Sequence, residues 1–325
     1  AQSTVPPEVH DLLRQMWTLA ALLRERRIKA GALDLAMPEV KCHLDPDGRV
    51  ISVERRGAPE AYQLIEEFML LANVAIAERL AQSGLPALYR MPMDLAALAI
   101  DQPVKGKADI NQICRRAATL PSSYLVNLAI LRNLNRAVYS DRNAGHFGLG
   151  FECYTHFTSP IRRYPDLLVH RLIKSSASGH PCPYTHEDVR RLSAHCSQTE
   201  RNADEAEAES LRLKCLEYYN ARLKRGETGP YPALVTGVLQ RGLLVELEES
   251  LQRALIPLHA LGRDEFEVRE SRGLVRGRRS RKTYRIGQSI LVLIVRVDKA
   301  RRRMDVVPAR DDAQPAPKRH RQRIK

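Results

Sequence analysis

Aromatic side chains are scarce in this chain of 325 residues: one Trp, five Phe and eleven Tyr make up 5% of it. A partner that binds by stacking on rings would find few of them, so contacts to charged groups are expected to dominate. Cysteine is thin as well. Cys42, Cys114, Cys153, Cys182, Cys196 and Cys215 include no close pair, so neither a zinc ribbon nor a disulfide framework is indicated and free thiols are expected. No apolar run approaches the length needed to span a bilayer, and no charged start followed by an apolar core marks a secretory signal. A cytoplasmic protein is the expectation.

What is present is positive charge, unevenly placed. The net charge is +14, yet residues 226 to 325 hold 22 Lys plus Arg against 12 Asp plus Glu, a surplus of +10. Such an asymmetry points to a grip on a polyanion at the C-terminal end, because excess cations displace counterions from phosphates. A membrane surface is a weaker match, since the basic stretch lacks the apolar face of an interfacial helix.

Periodicity divides the chain into a helical part and a strand part. Residues 8 to 27 read as a helix with Leu12, Leu13, Met16, Leu19, Ala20 and Leu23 on one side. EVKCHLDPDGRVISVERR reads as a strand pair turning at Asp47-Gly48. From Glu60 to Leu80, Ile65, Phe68, Met69, Ala72, Ile76 and Leu80 recur at helical spacing. Prolines punctuate residues 82 to 125, and residues 186 to 224 read as a polar helix supported by i,i+4 charge pairs. Gly226, Gly229 and Pro230 mark a boundary. Beyond it YPALVTGVL, LLVELEE, RALIPL, SILVLIVRVD and RMDVVPA are five short strands, the number an OB-fold needs. The tail after Ala309 is basic, contains proline and is expected to be disordered.

The run HFTSPIRRYPDLLVHR, His156 to Arg171, concentrates groups that grip a phosphodiester. Thr158 and Ser159 suit a helix N-cap and Pro160 a first helical position, where free amides attract phosphate. Arg162 and Arg163 add forked, permanent cations. Pro165 cannot donate to the carbonyl of Ile161, so a tight turn over residues 160 to 164 and a regular helix from Pro165 are expected. Spacing alone fits a capped amphipathic helix with solvated arginines equally well.

With its lead-in GHFGLGFECYT, this run resembles the signature of the ribonuclease II and ribonuclease R family, magnesium-dependent 3′-to-5′ exoribonucleases. LLRERRIKAGALDLAMPE, LIEEFMLLANVAIAERL, LRNLNRAVYS and ERNADEAEAES follow the family's order along nearly the whole chain. The resemblance implies an α+β architecture: the helix-rich C-terminal half of the catalytic domain over residues 1–225, then an S1-type OB-fold over 226–309 and a basic tail over 310–325. It departs from the family around MPMDLAALAIDQPVKG, which looks shortened.

The resemblance also assigns residues. Arg162 matches the arginine that holds the scissile phosphate, and one of Glu66 and Glu67 matches a glutamate that orients the terminal ribose. Without it, two acids near a helix start would simply serve the helix dipole. His156, Thr158, Ser159, Arg163, Tyr164 and Arg171 become RNA contacts, bracing being the stronger reading for Asp166 and His170, and Glu207 matches an acid near the exit of the cleaved nucleotide. In the S1-like part Tyr231 is a stacking candidate and Arg241 stands, with Leu244, where such domains usually show aromatics. Arg276, Arg278, Arg279, Arg281 and Lys282 lie in an insertion with eight Lys or Arg against one acid from Arg269 to Arg285, read as contacting RNA rather than as a solvated loop.

No closely spaced aspartate cluster precedes His156, and the family places its magnesium ligands upstream of where this chain begins. Ala1 is not an initiator methionine. The chain is therefore read as the C-terminal portion of a larger enzyme, without metal ligands of its own and inactive alone. Single-stranded RNA is the expected partner and a monomer the expected state, with ribosome or helicase association left open. The rival reading is a non-catalytic RNA-binding protein that kept the scaffold.

Overall fold

The computed structural model describes residues 6–33, 35, 38–56, 60–92, 107–117, 123–133 and 136–309. They form two compact units, residues 1–37 with 57–206, and residues 38–56 with 207–325. The architecture is α+β.

The first unit opens with α1 (Pro7–Lys29), which has proline and Glu8 in its first turn and Arg26, Arg27 and Lys29 in its last, as the helix dipole favours. It buries only Ala20. Of the apolar side expected from spacing, Leu12 is 55% exposed and Leu13 and Leu19 are also turned outward. The next helix, α2 (Glu60–Ser83), forms where expected but presents a different face: Leu64, Glu67, Leu70, Asn73, Ala77 and Leu80 are buried, and Ile65 is exposed. The reason is polar. Glu67 and Asn73 each find partners inside, so the helix is turned to bury them rather than Ile65.

Antiparallel β3 (Tyr89–Pro92) and β4 (Ala137–Ser140) pair Tyr89 with Ser140, and two short helices, α3 (Lys107–Ala117) and α4 (Ser123–Asn133), occupy the proline-punctuated stretch. The section expected to be shortened falls largely on residues 93–106, outside the described residues. The signature run leads into α5 (Tyr164–Ala177). Leu80, Ala87, Tyr89, Cys153, Val169 and Leu172 form one core here, and Leu88, Tyr139, Leu168, Val189 and Cys196 another.

The helix α6 (His186–Lys224) runs for 39 residues. A reciprocal cap starts it: Asp188 donates its amide to Thr185 Oγ1 at 3.1 Å, and Thr185 donates its own to Asp188 Oδ2 at 3.0 Å. Its ion pairs Arg190–Glu187, Arg191–Asp188 and Arg212–Glu209 are spaced i,i+3 rather than the expected i,i+4. The boundary glycine Gly226 follows two residues after the helix ends.

In the second unit β1 (Glu39–Leu44) and β2 (Val50–Arg56) form the expected hairpin, with Gly48 at φ 76°, a conformation glycine adopts without strain. Lys214 donates to the carbonyl of Gly48 at 2.9 Å, and the thiols of Cys42 and Cys215 lie 3.8 Å apart. The hairpin thus belongs with the C-terminal part of the chain, although it lies in sequence between segments of the first unit.

The five expected strands are all present as β5 (Tyr231–Leu239), β6 (Gly242–Leu247), β7 (Arg253–Pro257), β11 (Ser289–Asp298) and β12 (Arg303–Pro308), closed into a barrel in the order β11-β12-β7-β6-β5. Alternation supplies its interior, with Ala233, Val235, Val245, Ile256, Val292, Ile294 and Val306 fully or almost fully buried. The insertion is not a loop. It folds as a three-stranded sheet of β8 (Phe266–Arg269), β9 (Leu274–Gly277) and β10 (Thr283–Arg285), ordered β10-β9-β8. Tyr231 is corrected from a stacking candidate to a core residue. It is 4% exposed, meets Tyr219 edge-on at 5.5 Å and donates to the carbonyl of Glu227.

Candidate functional site

The signature turn is built differently from its sequence expectation and reaches a similar shape. Residues 160–162 make a turn in which the amides of Arg162 and Arg163 donate to the carbonyl of Ser159, and α5 then starts at Tyr164. Neither Thr158 nor Ser159 caps the helix. Arg163 is the N-cap residue and makes no side-chain cap bond. The side chain that orders the turn is Asp166, fully buried, whose Oδ1 accepts from the Ser159 amide at 2.7 Å and the Arg163 guanidinium at 2.8 Å. The Ser159 amide is therefore committed to Asp166 and does not point at a ligand.

Three buried polar atoms of this turn have no hydrogen-bond partner among the described residues: Thr158 Oγ1, Arg163 Nε and Asp166 Oδ2. Orphans of this kind are rare in a settled interior and mark places where water or a ligand completes the pairing. Arg162 differs from its neighbour. It is exposed, and among the described residues its side chain has neither a hydrogen bond nor an ion pair. His170 braces the turn through the carbonyl of Phe157 at 3.0 Å and a ring stack at 4.2 Å. Arg171 is tied to Tyr184 at 2.9 Å, and Tyr164 is 46% exposed.

Behind the turn lies a network that sequence reasoning missed. Asn73 of α2 donates to Tyr154 at 2.9 Å and accepts from the amide of Phe157 at 3.0 Å, which fixes the strand-like lead-in against the helix. The signal for it was visible, since an asparagine stood in an apolar stripe. Arg90 pairs with Glu200 at 2.5 Å and lies 4.6 Å above the ring of Tyr139, and the Tyr139 hydroxyl sits 2.8 Å from His156 Nδ1. Burial, followed by the guanidiniums of Arg163 and Arg90, pushes the pKa of His156 down to about 2. His156 is thus a neutral hydrogen-bonding group rather than a proton carrier at neutral pH.

The structure separates Glu66 from Glu67. Glu66 is exposed, whereas Glu67 is 4% exposed and forms a two-pronged pair with Arg27 of α1. Glu67 also lines a cavity of about 820 Å³ with Trp17, Arg24, Gln63 and Asn111. Among the described contacts none joins Arg162 to either glutamate. Glu207 is exposed on α6 in the second unit. No group of three His, Cys, Asp or Glu among the described residues is arranged to hold a metal ion, so the magnesium implied by the resemblance finds no ligand set among them.

On the barrel, Arg241 and Leu244 border a groove of about 220 Å³ together with Arg253, Arg296, Arg301, Arg302 and Arg303. Three of these arginines have acidic neighbours: Arg253 with Glu246 at 3.6 Å, Arg296 with Asp298 at 3.3 Å and Arg302 with Glu209 at 3.5 Å. The side chains of Arg241, Arg301 and Arg303 make no ion pair among the described residues, although Asp298 and Asp305 also line the groove and the Arg301 amide donates to Asp298 Oδ1 at 2.9 Å. Sequence reasoning singles out Arg241 alone, though the run Arg301 to Arg303 beside a turn is a legible signal. Arg276, Arg278, Arg279, Arg281 and Lys282 are all exposed on the β8–β10 sheet.

A closed five-stranded barrel with an arginine-lined groove is the build of an S1-type nucleic-acid-binding module, and the S1 RNA binding domain model matches residues 231–307. The RNB domain model matches residues 1–179, more than half of the chain, and the chain belongs to the RNB family. It is 36% identical to Ribonuclease R of Thermotoga maritima over 324 residues, covering 93% of this chain and 45% of that protein. The chain thus spans about half the length of that relative. Its fold is similar to that of Mycoplasma genitalium RNase R in complex with ribose methylated single-stranded RNA, with TM-score 0.79 and 21% identity over 95% of this chain and 51% of that one. It is also similar to yeast Ssd1, a pseudonuclease, with TM-score 0.61 and 18% identity over 81% of this chain and 35% of that one.

Proposed function

We propose that this chain is part of a 3′-to-5′ exoribonuclease that hydrolyses single-stranded RNA processively to nucleoside 5′-monophosphates. In this reading residues 1–225 contribute to the catalytic domain and residues 226–309 are an S1-type RNA-binding domain. The observation that carries it is the pairing of opposites in the signature turn, where a buried Asp166 engages Arg163 and leaves Arg162 exposed and unpaired. A permanent, forked cation on a braced turn suits the scissile phosphate, whose charge grows in the transition state. His156 acts beside it as a neutral donor or acceptor, and Glu67 rather than Glu66 is the acid suited to the terminal ribose. The arginines of the barrel groove hold the incoming backbone.

Magnesium, when bound, supplies the activated water. The described residues provide orientation and charge, and on this reading they do not cleave RNA by themselves. A second reading is an RNA-binding protein without catalysis, favoured by the fold likeness to a pseudonuclease. One assay separates the two. The protein carrying this chain is incubated with single-stranded RNA labelled at its 3′ end, with magnesium and without it. Release of labelled mononucleotide with magnesium, abolished by Arg162→Ala, is expected. Tight binding with no release supports the second reading.

A further inference from the structure

We propose that the turn between β9 and β10, Arg278 to Lys282, is a preformed grip for the backbone of single-stranded RNA, and that Asp264 is the positioning residue that holds it in shape. The inference rests on the reading of the second unit as an RNA-binding module.

Five residues separate Gly277 from Thr283, and four of them are Arg278, Arg279, Arg281 and Lys282, all exposed. A solvated turn bearing four like charges has little reason to be ordered, yet this one is closed around an acid. Asp264 accepts from the Ser280 hydroxyl at 2.6 Å, the Ser280 amide at 2.8 Å and the Arg279 amide at 3.1 Å. It also accepts from the amide of Glu265 at 2.7 Å. Two backbone bonds complete the closure, Gly277 to the Lys282 carbonyl at 2.9 Å and Arg278 to the Glu265 carbonyl at 2.8 Å. Arg281 is held at φ 58°, a left-handed conformation that residues with a side chain seldom adopt. Gly277 admits the arrangement, because a Cβ there would collide with Asp264 Oδ2 and Ser280 Oγ. The Ser280 hydroxyl and amide bonds hold the carboxyl of Asp264 down at about 2, so it is ionised throughout the neutral range.

The turn is not part of the barrel core. Arg278 is paired with Glu265 at 2.9 Å, but Arg279 and Arg281 have no side-chain hydrogen bond or ion pair among the described residues. For long-range attraction to a polyanion, a carboxylate beside Arg278, Arg279, Arg281 and Lys282 is a loss. What it gives is geometry. With the backbone tied down, the two unpaired guanidiniums leave the turn from fixed positions and the cost of ordering them on binding falls. Forked cations suit the oxygens of a phosphodiester.

The test turns on a sign. Affinity of the full chain for a single-stranded uridine oligonucleotide is measured at several salt concentrations. Asp264→Ala removes a negative charge, so a role confined to the electrostatic field predicts tighter binding. The positioning role predicts binding weaker by about threefold to tenfold despite the added net charge. Asp264→Asn also removes the charge but leaves only one accepting oxygen and sets its amide group against backbone N–H donors that the other oxygen held, so the positioning role predicts binding weaker than the wild type and the field role predicts tighter binding. Arg279→Ala with Arg281→Ala is expected to flatten the slope of log affinity against log salt by about 1.4, roughly 0.7 for each phosphate no longer neutralised. Tighter binding by Asp264→Ala, or an unchanged slope in the double arginine variant, overturns the proposal. If Asp264→Ala fails to fold, the arginine double variant and Asp264→Asn decide the matter between them. Absence of any RNA binding by the wild-type chain removes the underlying reading and the proposal with it, whereas wild-type binding with a wrong sign at Asp264 removes the proposal alone.

Discussion

Arg163 donates to Asp166 at 2.8 Å within the first turn of α5, and this contact divides the labour between two adjacent arginines. Asp166 is fully buried and Arg163 mostly so. Arg162, one residue earlier, is left to solvent. Two side chains of the same chemistry, adjacent in the sequence, are therefore expected to fail in different ways when removed.

Asp166→Ala should destabilise the first unit by about 3 to 5 kcal/mol, because it strands a buried guanidinium and frees the Ser159 amide. Urea unfolding at neutral pH measures this. A loss below about 1 kcal/mol would mean that water replaces the carboxylate and the brace is not structural.

Arg162→Ala should leave the unfolding midpoint unchanged within about 0.5 kcal/mol, since its side chain has no protein partner among the described residues. In the complete protein, turnover on single-stranded RNA should fall at least about a hundredfold, with little change in affinity. Near-normal turnover removes Arg162 from the reaction.

His156 should stay neutral from pH 8 to pH 5. Its pKa in the fold is pushed down to about 2 from the ordinary 6.5 by burial and by Arg163, Arg90, His146 and Arg162 around it, with Tyr139 at Nδ1. The sign follows directly: below about 6.5 the unfolded chain takes up a proton that the folded chain refuses, so this residue costs stability progressively as pH falls towards 2. The carbon resonances of the His156 ring should show no titration over that interval. A midpoint between 6 and 7 would show that the imidazole is solvated.

Much of the barrel was legible because its strands alternate and their turns are marked. A side chain facing in or out of a sheet is set by parity, and five short alternating runs leave little freedom. Helix faces were less legible. On α2 the apolar residues are numerous enough to offer several faces, and the buried polar side chains Glu67 and Asn73 chose among them, whereas α1 buries only Ala20. Parity did not reveal the partner of a side chain either: Tyr231 looked available for stacking, but Tyr219 of the long helix α6 fills its interior side. The signature turn was recognisable as a motif while its mechanics were misassigned, because the ordering carboxylate of Asp166 lies seven residues beyond the amide it caps, outside the window of local capping rules. The insertion was read from charge alone, and charge does not distinguish a loop from a small sheet.

Leu244 stands half-exposed in the arginine-lined groove, next to Arg241, and no aromatic ring lines that groove among the described residues. Binding there should depend on phosphates and discriminate little between bases. Leu244→Phe adds a stacking surface to the groove floor and should strengthen binding to single-stranded RNA by about 1 kcal/mol, roughly fivefold, if one base reaches it. The slope against salt should stay the same, since no phosphate contact is added. A gain in affinity with unchanged slope places the RNA in this groove. Unchanged affinity in a folded variant would mean that no base reaches the position of Leu244.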